Sequence, residues 1–249
     1  MINKLSHSIL IFITASILVF VVFNIFLDQN TENAPTLKVS DVVEEVEPKK
    51  ETVGFSRLVL DVPYESEAPE GKWVQPWANA CEEATIMMID RYYQGKKSAS
   101  ISEAKIYLQN LFEKEEMLFG TSRNASGIQI LEIINSYTSF DAVMKDNPTI
   151  DDIKKEIIAG RPVLSLHRGF DLKNPNIDFA PTKSSYHTLV VVGFDDLKKV
   201  FITHDPGDVK SGLNYAYSYD MFMNSLHDYD IERDKADGPA RAIFTSSDL

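Results

Sequence analysis

Cysteine is almost absent from this chain of 249 residues, in which only Cys81 is present. A single cysteine excludes an intrachain disulfide framework. It also excludes a structural zinc site of the usual kind, which needs paired cysteines or closely spaced cysteine and histidine ligands. From the sequence we therefore expect no structural metal ion and no cofactor.

Basic residues are also in deficit. The chain has 25 lysines and arginines against 37 aspartates and glutamates, so its formal net charge is -12. A protein that binds nucleic acid needs a basic face to neutralise phosphates. The composition therefore argues against a nucleic-acid partner.

Charge is missing entirely from residues 9–27, a run of apolar residues near the N-terminus. As a helix, a run of this length can cross about 30 Å of hydrocarbon. Lys4 and His7 precede it and Asp28 follows it. The positive-inside rule then predicts a transmembrane signal-anchor, with residues 1–8 in the cytoplasm and the bulk of the chain outside.

Two alternatives compete for this apolar run. A cleaved signal peptide has a shorter apolar core and a small-x-small cleavage site, and no such site precedes Asp28. A buried core helix is the less favoured alternative, because this run is apolar on every side. The signal-anchor is the favoured interpretation.

Sustained apolar periodicity is lacking in residues 28–53, which are polar, acidic and interrupted by Pro35 and Pro48. Such a composition cannot bury enough apolar surface to order itself. We expect residues 28–53 to be a disordered linker that holds a folded domain, residues 54–249, away from the membrane surface.

Helices are predicted to dominate the first half of this domain and strands the second. After a short strand at 57–64, apolar residues recur at helical spacing in four segments, and Ser100 with Glu103 forms a capping box. The predicted helices are 81–94, 100–117, 127–137 and 149–160. β-branched runs then predict strands at 161–167, 186–194, 199–205 and 241–245, with one helix at 218–226. Helices first and an antiparallel sheet afterwards indicate an α+β fold.

Cys81 stands where a loop turns into an apolar-faced helix. Backbone N–H groups and the helix dipole at that position favour thiolate over thiol. The alternative is a small buried apolar residue, since free cysteine is among the most buried residue types.

A histidine and an aspartate occupy complementary positions on two predicted strands. His187 begins one strand, and Asp205 ends the next strand after a tight hairpin. In an antiparallel pair these ends lie side by side, so the carboxylate could orient the imidazole as in a Cys-His-Asp triad. His204 faces the opposite way and is the weaker candidate base. Taken singly, His187 reads as a strand histidine and Asp205 as a turn residue.

Four sequence blocks, taken together, resemble cysteine peptidase family 39. They are VPYESEAPEGKW, ACEEATIMMIDRYYQG, YHTLVVVGFDD and FITHDPG. This family comprises the papain-fold domain of bacteriocin-leader-processing transporters and its stand-alone relatives. The resemblance extends from Leu58 to Pro206. It implies a papain-like fold in which Cys81 is the nucleophile, His187 the general base and Asp205 the orienting carboxylate.

One position departs from the family pattern. Relatives carry a glutamine upstream of the cysteine, whose side-chain amide helps to form the oxyanion hole, and this chain has Glu67 there. A carboxylate cannot donate a hydrogen bond unless it is protonated. Gln75 lies six residues before Cys81, the separation used by papain-like enzymes, and is the alternative donor beside the Cys81 backbone N–H.

The leading hypothesis is a membrane-anchored, extracytoplasmic cysteine hydrolase that cleaves peptide or protein substrates. One alternative is a weak or inactive relative that binds a peptide or a cell-surface polymer in its cleft. Another is an acyl transferase on the same triad, because a fold does not determine a reaction. A metal site built from His187, His204 and Asp205 is disfavoured, since adjacent strand residues face opposite ways.

Overall fold

The computed structural model describes residues 55–179, 185–208 and 210–247. All of them belong to one unit, Val53–Leu249. The predicted membrane span at 9–27 and the predicted linker at 28–53 lie outside the described residues. Among the described residues, no helix combines the length and apolar character needed to cross a membrane.

A single antiparallel sheet of seven strands organises the domain. The strands are β1 (Arg57–Val59), β2 (Asp141–Asp146), β3 (Val163–Arg168), β4 (Tyr186–Asp195), β5 (Val200–His204), β6 (Tyr215–Ser218) and β7 (Arg241–Ser246). Their order is β2-β7-β3-β4-β5-β6, and β1 pairs with β4. The antiparallel sheet predicted from the β-branched runs is confirmed.

Helices precede and flank this sheet. They are α1 (Cys81–Tyr93), α2 (Ile101–Phe119), α3 (Gly127–Tyr137), α4 (Ile150–Ile158), α5 (Gly169–Leu172) and α6 (Tyr219–Ser225). The four helices predicted in the first half are α1 to α4. Ser100 caps α2 through the predicted capping box with Glu103, and Thr149 caps α4 through a second capping box with Asp152. The α+β class is confirmed.

Strand β1 is shorter than the predicted strand at 57–64. It pairs with β4 only through residues 193–195, and β3 occupies the same edge of β4 at residues 186–191. The remainder of the predicted strand therefore has no free partner along that edge.

Two strands, β2 and β6, were not predicted. Strand β2 pairs with β7 and β6 pairs with β5. Each buries only one residue fully, Ala142 in β2 and Tyr217 in β6. The apolar pattern in each strand is therefore weak, and pairing with a neighbouring strand determines its conformation.

Strand β4 is the centre of the domain because all ten of its residues are buried. Alternate residues enter two apolar clusters, one with Val190 and Val192 and the other with Leu189 and Val191. Helix α1 packs against β4, and Thr85 Oγ1 lies 3.3 Å from Thr188 Oγ1. This contact brings the cysteine helix to the strand that carries His187.

Candidate active site

Cys81 is the first residue of α1, as predicted, and only 4% of its surface is exposed. Its Sγ donates a hydrogen bond to Glu82 Oε2 at 2.8 Å. Burial, together with Glu82 and Glu67, raises the pKa of the Cys81 thiol well above its ordinary value. Burial and the adjacent carboxylates therefore favour the neutral thiol, contrary to the expectation that the helix N-terminus favours a thiolate.

His187 and Asp205 lie in direct contact. His187 Nε2 is 2.8 Å from Asp205 Oδ1, and both side chains are buried. The register explains this contact. Val190 of β4 stands opposite His204, and because the strands are antiparallel the chain continues from His204 to Asp205 toward the end of β4 that carries His187. Since Nε2 is used by Asp205, Nδ1 is the imidazole nitrogen left to exchange a proton with a substrate or a thiol.

The charges around His187 favour its protonated form. Burial is the largest single effect and lowers the pKa of His187, but Asp205, Glu67 and Glu82 together outweigh it. The net result is a pKa above the ordinary value for histidine. One side of the imidazole packs near Phe179, with the ring centroids 5.0 Å apart.

Asp205 has a full set of hydrogen-bond donors, two of which come from residues that the sequence analysis missed. Its Oδ2 accepts from Tyr217 Oη at 2.5 Å and from Asn174 Nδ2 at 3.1 Å. Its Oδ1 accepts from the Gly207 N–H at 3.1 Å as well as from His187. The carboxylate is thereby held in one orientation toward the imidazole. Alternation in β6 could have indicated an inward Tyr217, but the loop around Asn174 carries no such signal.

Glu67 joins this group of side chains. One of its carboxylate oxygens, the Cys81 sulfur and one nitrogen of His187 all lie within 4.8 Å of one another. Glu67 Oε1 accepts from Trp73 Nε1 at 2.6 Å, and the Glu67 N–H donates to Pro206 O at 3.1 Å. The second bond ties Glu67 to the turn that follows Asp205. Burial raises the pKa of Glu67 to about 7, against the opposing effects of His187 and Trp73.

Gln75 lies in a different environment. It is exposed and lines a polar cavity of about 460 Å³. The other residues lining this cavity are Asn79, Arg123, Asn124, Tyr229 and Asp234. The structure thus brings Cys81, His187, Asp205 and Glu67 together, whereas the role assigned to Gln75 stays a prediction.

The turn after β5 is anchored by Tyr64. The Tyr64 hydroxyl lies 3.1 Å from Asp205 O and 3.0 Å from Asp208 O. Gly212 closes the same turn, and a Cβ atom at Gly212 would lie only 2.1 Å from Asp205 O. The position of the Asp205 backbone therefore depends on close approaches that only glycine permits.

Two other buried histidines have structural partners. His204 Nε2 donates to Val62 O at 2.8 Å, and its Nδ1 accepts from the Asn214 N–H at 3.2 Å. The ring nitrogens of His167 contact Ser165 and Ser225, each at 2.8 Å. His204 is therefore committed to the backbone, in line with the prediction that it is the weaker candidate base.

Further carboxyl groups are buried beside the cysteine. Glu82 Oε1 accepts from the Ala125 N–H at 2.9 Å, in addition to the contact of its other oxygen with Cys81. Burial and Glu115 raise the pKa of Glu83 well above its ordinary range, and burial raises the pKa of Glu115 to about 8. Burial therefore favours the protonated, uncharged forms of Glu83 and Glu115.

Comparison with known proteins identifies the family. The model of the Peptidase C39-like family matches residues 59–234. No curated protein sequence matches this chain. Among solved structures, a crystal structure of a C39-like peptidase from Bacillus anthracis has a TM-score of 0.49 and 14% sequence identity, covering 76% of this chain and 97% of that one. Because the family model spans well over half of its length, the chain belongs to the Peptidase C39-like family, and that membership indicates a function of the cysteine-peptidase type.

Proposed function

We propose that this protein is a cysteine peptidase in which Cys81 attacks the substrate, His187 transfers protons and Asp205 orients the imidazole. The observation that carries the proposal is the contact of 2.8 Å between His187 and Asp205, with the Cys81 sulfur within 4.8 Å of a ligating atom of His187. Nucleophile, base and orienting carboxylate in this sequence of contacts are the elements of triad catalysis.

Catalysis begins from the thiol. His187 acts in its neutral form, in which Nδ1 takes the proton from Cys81 as the sulfur attacks the amide carbonyl, and the resulting imidazolium is stabilised by Asp205. The Cys81 backbone N–H, at the start of α1, donates to the oxyanion. His187 then gives its proton to the leaving amine, and water hydrolyses the acyl-enzyme. In the free protein the thiol proton is directed to Glu82, so substrate binding has to redirect that proton toward His187.

The test is hydrolysis of a fluorogenic peptide library by the purified full-length chain. Cys81→Ala and His187→Ala should each lower kcat/KM by about 10³-fold or more, as expected when one member of a triad is removed. A peptide vinyl sulfone should add to Cys81 in the wild type, as detected by mass spectrometry. His227→Ala is the matched control, because His227 Nδ1 contacts only the backbone oxygen of Gly238 among the described residues. Cleavage that survives in Cys81→Ala would overturn the proposal.

We also propose that the peptidase acts outside the cytoplasmic membrane, anchored by residues 9–27. The support is the uncharged apolar run and the basic residues that precede it. In intact spheroplasts of an expressing bacterium, an added protease should degrade the domain that carries Cys81. Protection of this domain until the membrane is lysed would contradict the proposed orientation.

A second candidate function is peptide binding without efficient turnover. Two observations favour it, namely a carboxylate at position 67 and the raised pKa of the Cys81 thiol. Calorimetry with Cys81→Ala and peptides from the library distinguishes the two functions. Tight binding by Cys81→Ala together with negligible turnover by the wild type would favour a binding protein. Incorporation of an added amine into the product would instead identify acyl transfer.

A further inference from the structure

We propose that Glu67, Cys81 and His187 form a binding site for a thiophilic divalent cation, represented by Zn²⁺, and that the bound cation blocks the nucleophile. The three side chains supply one oxygen, one sulfur and one nitrogen, all within 4.8 Å of one another. These are the donor types that zinc uses in proteins. The inhibitory part of the proposal rests on the proposed peptidase function, whereas the binding part stands without it.

The spacing of the donor atoms suits one ion. In a tetrahedral zinc site with bonds of about 2.0–2.3 Å, the ligand atoms are about 3.5 Å apart. Since all three separations are within 4.8 Å, the donors need to close by no more than about 1.3 Å to reach that spacing. The two methylene groups of Glu67 allow a movement of that size, so the backbone can stay in place.

The imidazole is prepared as a ligand. Metal-bound histidines usually donate their other ring N–H to a carboxylate, which fixes the tautomer and makes the ligand more basic. His187 Nε2 already contacts Asp205 at 2.8 Å, and Asp205 is itself held by Tyr217 and Asn174. Nδ1 is thus left to bind the cation.

The charge around the three donors favours a cation. Two carboxyl groups contact the donor residues, because Glu82 Oε2 lies 2.8 Å from the Cys81 sulfur and Asp205 Oδ1 lies 2.8 Å from His187 Nε2. A thiolate at this position is therefore opposed by neighbouring carboxylates, and a divalent cation would remove that opposition.

Burial strengthens this argument. Glu67, Cys81 and His187 expose only 7%, 4% and 3% of their surfaces. Buried charges in proteins are normally paired or coordinate a metal. Three protein ligands also leave a fourth coordination position for water, as in open zinc sites.

Binding of the cation releases protons from the ligand side chains. The cation takes Cys81 as a thiolate and His187 as a neutral imidazole, so the thiol proton and any proton held by His187 Nδ1 or Glu67 are released to the buffer. Both the sulfur and His187 Nδ1 are then occupied. Neither nucleophilic attack nor proton transfer is possible until the cation leaves.

Co²⁺ provides a readout that does not depend on activity. The full-length protein, freed of metal with a chelator, should bind one Co²⁺ ion. A thiolate–cobalt charge-transfer band should appear in the near ultraviolet, with visible bands typical of tetrahedral cobalt. The charge-transfer band should vanish in Cys81→Ser. Glu67→Gln should bind Zn²⁺ at least tenfold more weakly by competition. Glu70→Gln, which alters an exposed glutamate paired with Lys105, is the matched control and should bind like the wild type.

Circular dichroism of the metal-free variants would establish that they are folded. The proposal is overturned if wild type and Cys81→Ser give the same cobalt spectrum, or if Glu67→Gln binds Zn²⁺ as tightly as the wild type.

Zn²⁺ should inhibit peptide hydrolysis by the wild type with the affinity seen in the cobalt competition. If the charge-transfer band appears but no peptide is cleaved, the peptidase proposal fails and the metal site stands. If cleavage occurs and Zn²⁺ does not inhibit it, the inhibitory proposal fails and the peptidase stands.

Discussion

Asp205 shows how a site residue depends on partners that do not touch the substrate. Its carboxylate accepts from His187 on one oxygen and from Tyr217 and Asn174 on the other. A buried carboxylate with this many donors cannot rotate without leaving a donor unpaired. Tyr217 and Asn174 therefore act on the His187 tautomer indirectly, by fixing the orientation of the Asp205 carboxylate.

Removal of one of these donors should weaken catalysis moderately. Tyr217→Phe deletes the hydrogen bond of 2.5 Å to Asp205 Oδ2 and leaves the Asn174 bond. We expect kcat/KM to fall by roughly 5- to 30-fold, corresponding to about 1–2 kcal/mol for a charge-assisted bond. Tyr215→Phe on the same strand is the control. Equal kinetics for the two variants would show that the Tyr217 hydroxyl does not position Asp205.

The carboxylate at position 67 should limit the rate. It lies within 4.8 Å of the Cys81 sulfur, and negative charge there opposes the developing oxyanion. We expect Glu67→Gln, which supplies an amide donor, to raise kcat/KM by up to about 10²-fold at neutral pH. The pair of variants Glu67→Gln and Gln75→Ala separates the two candidate donors. A loss of about 10²-fold or more in Gln75→Ala, with no gain in Glu67→Gln, would assign the role to Gln75.

At the scale of the elements, the turn after β5 positions the site residues together with the strands. Tyr64 binds the carbonyl groups of Asp205 and Asp208, and Gly212 packs against both carbonyl oxygens. The stretch that carries Glu67 is hydrogen-bonded to the same turn through Pro206. These contacts thus connect residues 64–67 to the turn at residues 205–212, two parts of the chain that are distant in sequence.

Gly212→Ala should therefore damage activity. The new Cβ would lie 2.1 Å from Asp205 O and 2.5 Å from Asp208 O, so the turn has to move. We expect a loss of about tenfold or more in kcat/KM, because small displacements of catalytic groups are costly. Gly120→Ala is the control. It places alanine at a φ of 70° in open space, which should cost about 1 kcal/mol of stability and leave kcat/KM unchanged.

At the scale of the whole molecule, buried carboxyl groups make stability depend on pH. The pKa values of Glu67, Glu82, Glu83 and Glu115 are all raised, primarily by burial. A carboxyl group with a raised pKa holds its proton in the folded state above the pH at which the unfolded chain releases it. The folded state then binds more protons than the unfolded state, so stability falls as pH rises through that window.

Glu115→Gln should reduce this pH dependence. The pKa of Glu115 is about 8 in the folded protein and near the ordinary value of 4.5 in the unfolded chain, so its contribution to stability is lost between those values. The neutral amide of the variant does not titrate in this range. We expect the variant to match the wild type near pH 5 and to exceed its unfolding free energy by roughly 1–3 kcal/mol at about pH 8.5. Chemical denaturation at both pH values is the measurement. Parallel pH curves for the two proteins would contradict the prediction.

Helix positions were predictable because local signals agree. The capping boxes at Ser100 and Thr149 and the apolar spacing of α3 mark their helices without reference to the rest of the chain. Strands β2 and β6 were not predictable, because each takes its conformation from a neighbouring strand. The cluster of Cys81 with His187 was anticipated as a topology, whereas Asn174 entered the site with no local signal at all.

By itself, the sequence determined the α+β class, the position of Cys81 at the start of a helix and the order of the four blocks that resemble the family. These follow from periodicity, capping and block order, which are local properties of the chain. Only the tertiary structure decided that Glu67 stands beside Cys81 and His187, and that carboxylates raise the pKa of the thiol. The physical reason is that electrostatic energy depends on distance and burial, and both are set by contacts between residues far apart in the chain.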